Sequence, residues 1–286
     1  MSGFTGIFDR RGRRRLANAT FVIVCTLATV VALVVLAIIL ASLLRKGIGG
    51  LDLAVFTEDT PPPGAPGGLR NALLGSLFLC SAAMTIAVTV GMLAGTWLAE
   101  YSTDNWYAKT VRFINDVLLS APSILVGLFV YVIAVRPLHS FSALAGALAL
   151  ALIAAPIVTR ATEDVLRLQP RALREAGAGL GTPIWITIRR ILWKASAGGI
   201  ITGALLAFAR ISGETAPLLF TSLNNQFFSL NLLKPIANLP VTIFSFALSP
   251  YEDWQRLAWA GSLLIAFTVL SINTLVRILA SKRRRT

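Results

Sequence analysis

Six long apolar runs dominate the chain, at about 19–44, 71–98, 113–135, 142–159, 197–220 and 257–280. As a helix, each is long enough to cross about 30 Å of hydrocarbon, the fourth only just. The pattern predicts an all-α polytopic membrane protein with six transmembrane helices in one unit, 19–281, between a basic segment 1–18 and a basic tail 282–286. The polar breaks differ in kind. Segment 45–70 is too rich in glycine and proline for a membrane helix and reads as an outer loop. Glu100–Arg112 is a short inner loop, and Arg136–Ser140 a tight outer turn. Segment 221–256 is semi-apolar and broken by Pro235, Pro240 and Pro250. It fits short interfacial helices or a re-entrant piece, which survives at membrane depth only where protein or a cavity shields its backbone.

The longest polar passage, 160–196, predicts two short helices and a corner. Pro170 can open the first, and Ala172–Leu180 holds no β-branched residue. Gly181 suits the left-handed position beyond a helix end. Thr182 can then cap a second helix, with Pro183 in its first turn. Ile184, Trp185, Ile188, Ile191 and Leu192 recur at helical spacing in that helix, with Arg189, Arg190 and Lys194 elsewhere on its circumference. It is amphipathic and is expected to lie along a surface rather than cross the membrane.

Composition supports the membrane assignment: 56% of the 286 residues are apolar and 14% charged, with a mean hydropathy of +0.74. A net charge of +13 would ordinarily suggest nucleic acid, but its distribution explains it. With both termini inside, only Arg45, Lys46, Arg70, Arg136, Lys234 and Arg256 fall outside, Arg210 lies within a span, and the other 19 of 26 basic residues are cytoplasmic. That is the positive-inside distribution of a multi-pass protein, and it removes the case for nucleic acid. The first apolar run is too long for a signal-peptide core and no small-x-small cleavage site follows it, so it reads as an uncleaved span. Cys25 and Cys80 both fall inside spans and read as free thiols. There is no phosphate-binding glycine loop, no metal-spaced His/Cys cluster and no Ser-His-Asp set, and the single histidine, His139, lies in an outer turn. No cofactor, metal or catalytic site is expected on this chain.

The sharpest chemical signal is Arg210 with Glu214, in ITGALLAFARISGETAPLLFT. An arginine near the middle of a span costs about 2.5–3.5 kcal/mol to insert, so it should face a cavity or a partner. On one continuous helix Gly199, Gly203, Ala207, Arg210 and Glu214 share an arc of about 80°. The small residues form a ridge on which a neighbouring helix can approach closely, which would turn the charges toward protein instead of lipid. Gly213 and Pro217 loosen the helix around Glu214. A self-neutralising Arg210–Glu214 pair is the competing account, in the poorer i,i+4 orientation. Arg160, after Pro156 at the inner end of the fourth span, would sit about 15–20 Å inward of Arg210. Two staggered arginines suit an oxyanion route, because the guanidinium fork matches phosphate or sulfate oxygens. Arg160 is equally explained as a positive-inside anchor.

Two sets of stretches carry a family resemblance. Glu175-Ala176-Gly177, with Gly181 after three intervening residues and Ile191 after nine more, resemble the EAA loop of ABC-importer permeases, with Gly177, Trp193 and Lys194 where that pattern has Ala, Leu and Pro. FTEDTPPP, APSILVGLFVY, ARISGETAPLLFT and PIANLPVTIF, among others between about 50 and 280, resemble the PstA-type permease subunits of bacterial phosphate ABC transporters. The resemblance implies a non-catalytic subunit of the bacterial inner membrane that forms half of a phosphate path. It implies a homologous second permease, two cytoplasmic ATPase subunits holding ATP and Mg, and an outer phosphate-binding protein. Arg210, Glu214 and Arg160 would be path residues, and Glu175, Ala176, Gly177, Gly181 and Ile191 the ATPase coupling element. Other readings are a permease for sulfate or molybdate, an ion-coupled secondary transporter, for which Glu214 and Asp116 are few titratable groups, and a scaffold, which leaves Arg210 unexplained.

Overall fold

A computed structural model describes residues 10–102 and 105–283. Residues 1–9 of the basic segment 1–18, and Arg284 to Thr286 of the tail, lie outside the described residues. Among the described residues every regular element is helical. In order they are α1 (Arg10–Gly50), α2 (Ala54–Thr57), α3 (Arg70–Thr96), α4 (Trp106–Ser120), α5 (Ser123–Val130) and α6 (Arg136–Leu138). Then follow α7 (Ala143–Arg167), α8 (Arg171–Gly179), α9 (Ile184–Thr187), α10 (Trp193–Ile211), α11 (Ala216–Leu219), α12 (Leu239–Ala247) and α13 (Glu252–Arg283). Wider π-helical turns extend α3 (Trp97–Tyr101), join α5 to α6 (Tyr131–Val135) and join α9 to α10 (Ile188–Leu192). The bundle has a near end, which holds residues 168–183, and a far end, which holds 51–69.

Gly12–Gly50, Arg70–Tyr101, Ala143–Arg167, Ile184–Ile211 and Glu252–Leu275 are each long and apolar enough to cross a membrane. A sixth crossing needs α4 and the α5–α6 stretch together, and these are bent by 107°. The straight third span expected at 113–135 is therefore broken. Pro122 donates no backbone hydrogen bond and holds Ala121 extended (φ −66°, ψ 136°), which ends α4.

The core is α7 between α3 and α10. Two-thirds of α7's most apolar stretch is buried, against none of α1's. Small residues permit the approach: a Cβ on Gly91 would lie 2.7 Å from Val158, and one on Gly95 2.5 Å from the Thr159 carbonyl. The far end of α7 is closed by the chain itself. Ser142 caps it, and the carbonyls of Lys234 and Leu232 accept from Ala143 and Leu144, two amides that have no partner within the helix. Segment 221–238, expected to be interfacial or re-entrant, is thus tied into the bundle. Asn238 caps the buried helix α12 and donates to Leu223 O, and Asn71 donates to Gln226 O. Helix α1 packs on α13 at the far end, where Gly47 lies under Leu263, and exposes its apolar surface elsewhere.

Two boundaries differ from the sequence reading in ways that matter for function. The amphipathic second helix of the polar passage is not separate, because α9, the π turn and α10 run on as Ile184–Ile211. The fifth span then ends at Ile211 instead of continuing to 220. Ser212 and Gly213 break it, and α11 restarts the chain after Thr215.

Candidate functional site

Arg210 lies in the last turn of α10 rather than mid-helix. Its depth is nevertheless central. Gly199 would clash with Val165 if it carried a Cβ (2.4 Å), and Gly203 with Ala161 (2.3 Å). That antiparallel register puts Arg210 level with about Ala154, halfway along α7. The ridge of Gly199, Gly203 and Ala207 therefore packs on α7. Ala207 is fully buried, whereas the Arg210 side chain is 49% exposed. Arg210 stands at the margin of the packing face, not on it.

Glu214 is not on the helix at all. Its amide donates to Ile211 O (3.2 Å) in the turn that ends α10, and its side chain is only 16% exposed. One of its oxygens lies 3.8 Å from Arg210 Nη2, within ion-pair reach but too far for a hydrogen bond. Among the described residues Arg210 donates no hydrogen bond, so its planar fork is left open. Packing against α5 holds this broken stretch in place: a Cβ on Gly127 would lie 2.6 Å from Pro217 Cα.

Arg160 is differently placed. It is half exposed, 3.6 Å from Asp116 of α4 and 3.5 Å from Asp164 one turn along α7. The register puts it level with Ala204, six residues from Arg210. The offset along the bundle is about 9 Å, not the 15–20 Å expected from separate spans, because α10 starts at the near end and stops halfway.

The coupling residues gather at the near end. Helix α8 begins after Pro170, and Gly181 adopts φ +68°, the left-handed backbone expected of it. Thr182 caps no second helix. Its hydroxyl and its amide both donate back to Gly177 O (2.6 and 3.1 Å), closing the corner. Gly177 is small for a reason: a Cβ there would lie 2.5 Å from Thr187 Oγ1. Glu175 and Ala176 face outward, while Ile191 lies half-buried in the π turn. Leu168, Leu180, Ile184 and Trp185 expose apolar surface around them.

Sequence reasoning missed two buried acids beside this loop and the arginines that pair with them. Glu163 on α7 accepts from Arg112 (2.8 Å) and pairs with Arg167 (2.9 Å), and Glu100 pairs with Arg174 (2.6 Å). The Arg174 pKa is raised above its ordinary value by its hydrogen bond to Glu100, with burial opposing and Coulomb attraction adding. The available signal was an acid just past the inner end of two apolar runs, Glu100 after 71–98 and Glu163 after 142–159, each of which demands a cation once buried. The positive-inside count hid it by treating Arg112, Arg167 and Arg174 as solvated. Among the described residues there is no cluster of acidic, His or Cys groups able to hold a metal.

The family of binding-protein-dependent transport system inner membrane components matches residues 87–285. The phosphate transport system permease protein PstA of Yersinia pestis is 58% identical over 247 residues, covering 86% of this chain and 84% of that protein. The chain belongs to the PstA family of binding-protein-dependent permeases. Its relative in Haemophilus influenzae is 52% identical, covering 88% of this chain and 89% of that protein, and PstA 1 of Mycobacterium tuberculosis is 34% identical, covering 96% and 91%. In fold this PstA-family permease is like a chain of the inward-facing MetNI methionine ABC transporter, with a TM-score of 0.58 over 74% of this chain and 95% of that one at 17% identity. The likeness supports the all-α, importer-permease architecture. The protein is thus a multi-pass permease subunit of an inner-membrane ABC transport system.

Proposed function

We propose that the chain forms half of an ATP-driven path for inorganic phosphate. The observation carrying this reading is the open fork of Arg210: a guanidinium at mid-depth, half exposed, with Glu214 near enough to offset its charge but not to fill its donors. A tetrahedral oxyanion supplies the acceptors the fork lacks. Glu214 keeps that binding weak enough for release. The backbone break at Ser212–Gly213 belongs to the same logic, since irregular chain at membrane depth is tolerated where it lines a cavity. Arg160 would meet the anion nearer the exit, where Asp116 and Asp164 compete for it.

A homologous second permease would supply the other wall of the path, and an outer binding protein would deliver phosphate to it. In this reading both termini and α8 are cytoplasmic. The exposed Glu175–Ala176 face, with Leu180, Ile184 and Trp185 beside it, docks on one of two ATPase subunits, which carry the ATP and Mg; this chain needs no cofactor. Nucleotide binding moves α8 and opens the path alternately to either side. The direct test is uptake of labelled phosphate by proteoliposomes holding the reconstituted importer. Uptake should be lost in Arg210→Gln with all subunits still co-purifying. Normal uptake by that variant, or uptake abolished equally well by excess sulfate as by phosphate, would reject the assignment.

A further inference from the structure

The coupling helix α8 is joined through the chain to α7, by Leu168–Pro170, and to α9, by Leu180–Pro183. Nothing covalent joins it to α3, the other half of the core. Yet Glu100, in the π-helical turn that ends α3, has a side chain only 3% exposed. At that burial a carboxylate has no water to solvate it, so its charge must be met by protein. Arg174 of α8 meets it with a fork, Nε to Oε2 at 2.8 Å and Nη2 to Oε1 at 2.6 Å. The same guanidinium donates to Leu166 O and Gln169 O, both at 2.9 Å. These carbonyls lie in and just beyond the last turn of α7, where a cation complements the helix dipole. One planar group thus holds three segments at fixed distance and orientation.

The surroundings reinforce the joint. Leu98, in the same π turn as Glu100, offers its carbonyl to Ser102 Oγ (2.7 Å) and Arg112 (3.2 Å). Arg112 in turn reaches Glu163 of α7. Trp193, at the start of α10, donates from Nε1 to Thr96 Oγ1 (3.1 Å). Helix α8 therefore has two working faces. Glu175 and Ala176 are exposed, while Leu173 and Arg174 turn into the bundle, Leu173 against Leu166, Ile188 and Leu192.

We propose that the Arg174–Glu100 fork makes α8, the near end of α3 and the near end of α7 a single rigid body. A displacement of α8 then reaches both core helices instead of being absorbed by the loops on either side of it. Arg174 and Glu100 are positioning residues: they touch neither the anion nor the nucleotide. The inference rests on the reading of α8 as the ATPase contact.

The test uses the complete importer in proteoliposomes and reads phosphate taken up per ATP hydrolysed. Glu100→Cys with Arg174→Cys is made in a chain lacking Cys25 and Cys80, and that parent chain is the reference. Reduced, the pair should lose about tenfold in uptake per ATP, mid-range for a coupling between sites, with the ATPase still bound and still hydrolysing. A short thiol-to-thiol cross-linker across the two cysteines should restore the ratio to within about twofold of the parent. An unaltered ratio in the reduced pair overturns the proposal. So does a cross-link that leaves uptake arrested, which would mean that the joint must open in each cycle. Where the double variant fails to assemble, Arg174→Lys decides: it keeps the charge but loses the fork, so an unchanged ratio refutes rigid coupling and a reduced ratio with intact assembly supports it. Parent vesicles that take up no phosphate would instead sink the proposed function, a separate outcome.

Discussion

Glu100–Arg174 and Arg210–Glu214 are built from the same two residue types and end in opposite states. At the near end both carboxylate oxygens and every arginine nitrogen are engaged, at 2.6–2.9 Å, and the acid is almost wholly buried. At mid-depth the partners stand 3.8 Å apart and half of the arginine is exposed. Local geometry makes the difference. Arg174 reaches Glu100 across 74 residues, from another helix whose position is free to optimise the fork. Arg210 and Glu214 are four residues apart on a chain that breaks between them, so they approach without docking. Saturated pairs hold elements together; an unsaturated one is left with donors to offer a ligand. Arg160, loosely shared between two exposed acids, falls between.

Substitutions at the two kinds of pair should have different consequences. The largest effect is expected at the open site, where Arg210→Gln should lower phosphate uptake by about a hundredfold or more, as losing a charge-assisted contact does, and barely move the thermal midpoint of the purified complex. A large drop in that midpoint would make Arg210 structural. Next comes Glu163→Gln, which leaves Arg112 and Arg167 facing a neutral amide. Breaking a buried pair on one side costs about 3–5 kcal/mol, so a thermal shift assay should register clear destabilisation, and an unchanged midpoint would mean that the near-end pairs hold nothing. Gly203→Leu places a large side chain where even a Cβ would meet Ala161 at 2.3 Å. Forced overpacking of this kind costs about 1–3 kcal/mol and should reduce the folded yield in detergent, with Gly179→Ala, in open space, as the silent control. The smallest structural effect belongs to Arg160→Gln. Exposed pairs are worth about 1 kcal/mol or less, so stability should hardly change, and any loss of uptake would then report on the path. A stability loss comparable to that of Glu163→Gln would erase the distinction between loose and saturated pairs.

Much of this was legible in the residues. The glycine ridge that packs on α7 follows from spacing, and the left-handed backbone at Gly181 from residue type, whereas Arg210, which spacing put on the packing face, stands half exposed at its margin. Arg210 lies level with the middle of α7. It is central because α10 stops halfway along α7, and the arc drawn through Glu214 assumed a helix that ends at Ile211. Pro122 signalled a bend that the apolar run around it concealed.

What the sequence determined by itself is the all-α, multi-pass plan. Hydrocarbon selects for apolar length, and a helix satisfies its own backbone, so both signals are local. Tertiary structure alone decided which acid meets which base. A buried carboxylate takes whichever guanidinium the folded chain brings within 3 Å, and Glu100 with Arg174, like Glu163 with Arg112, came from helices whose separation along the chain carries no trace of their contact.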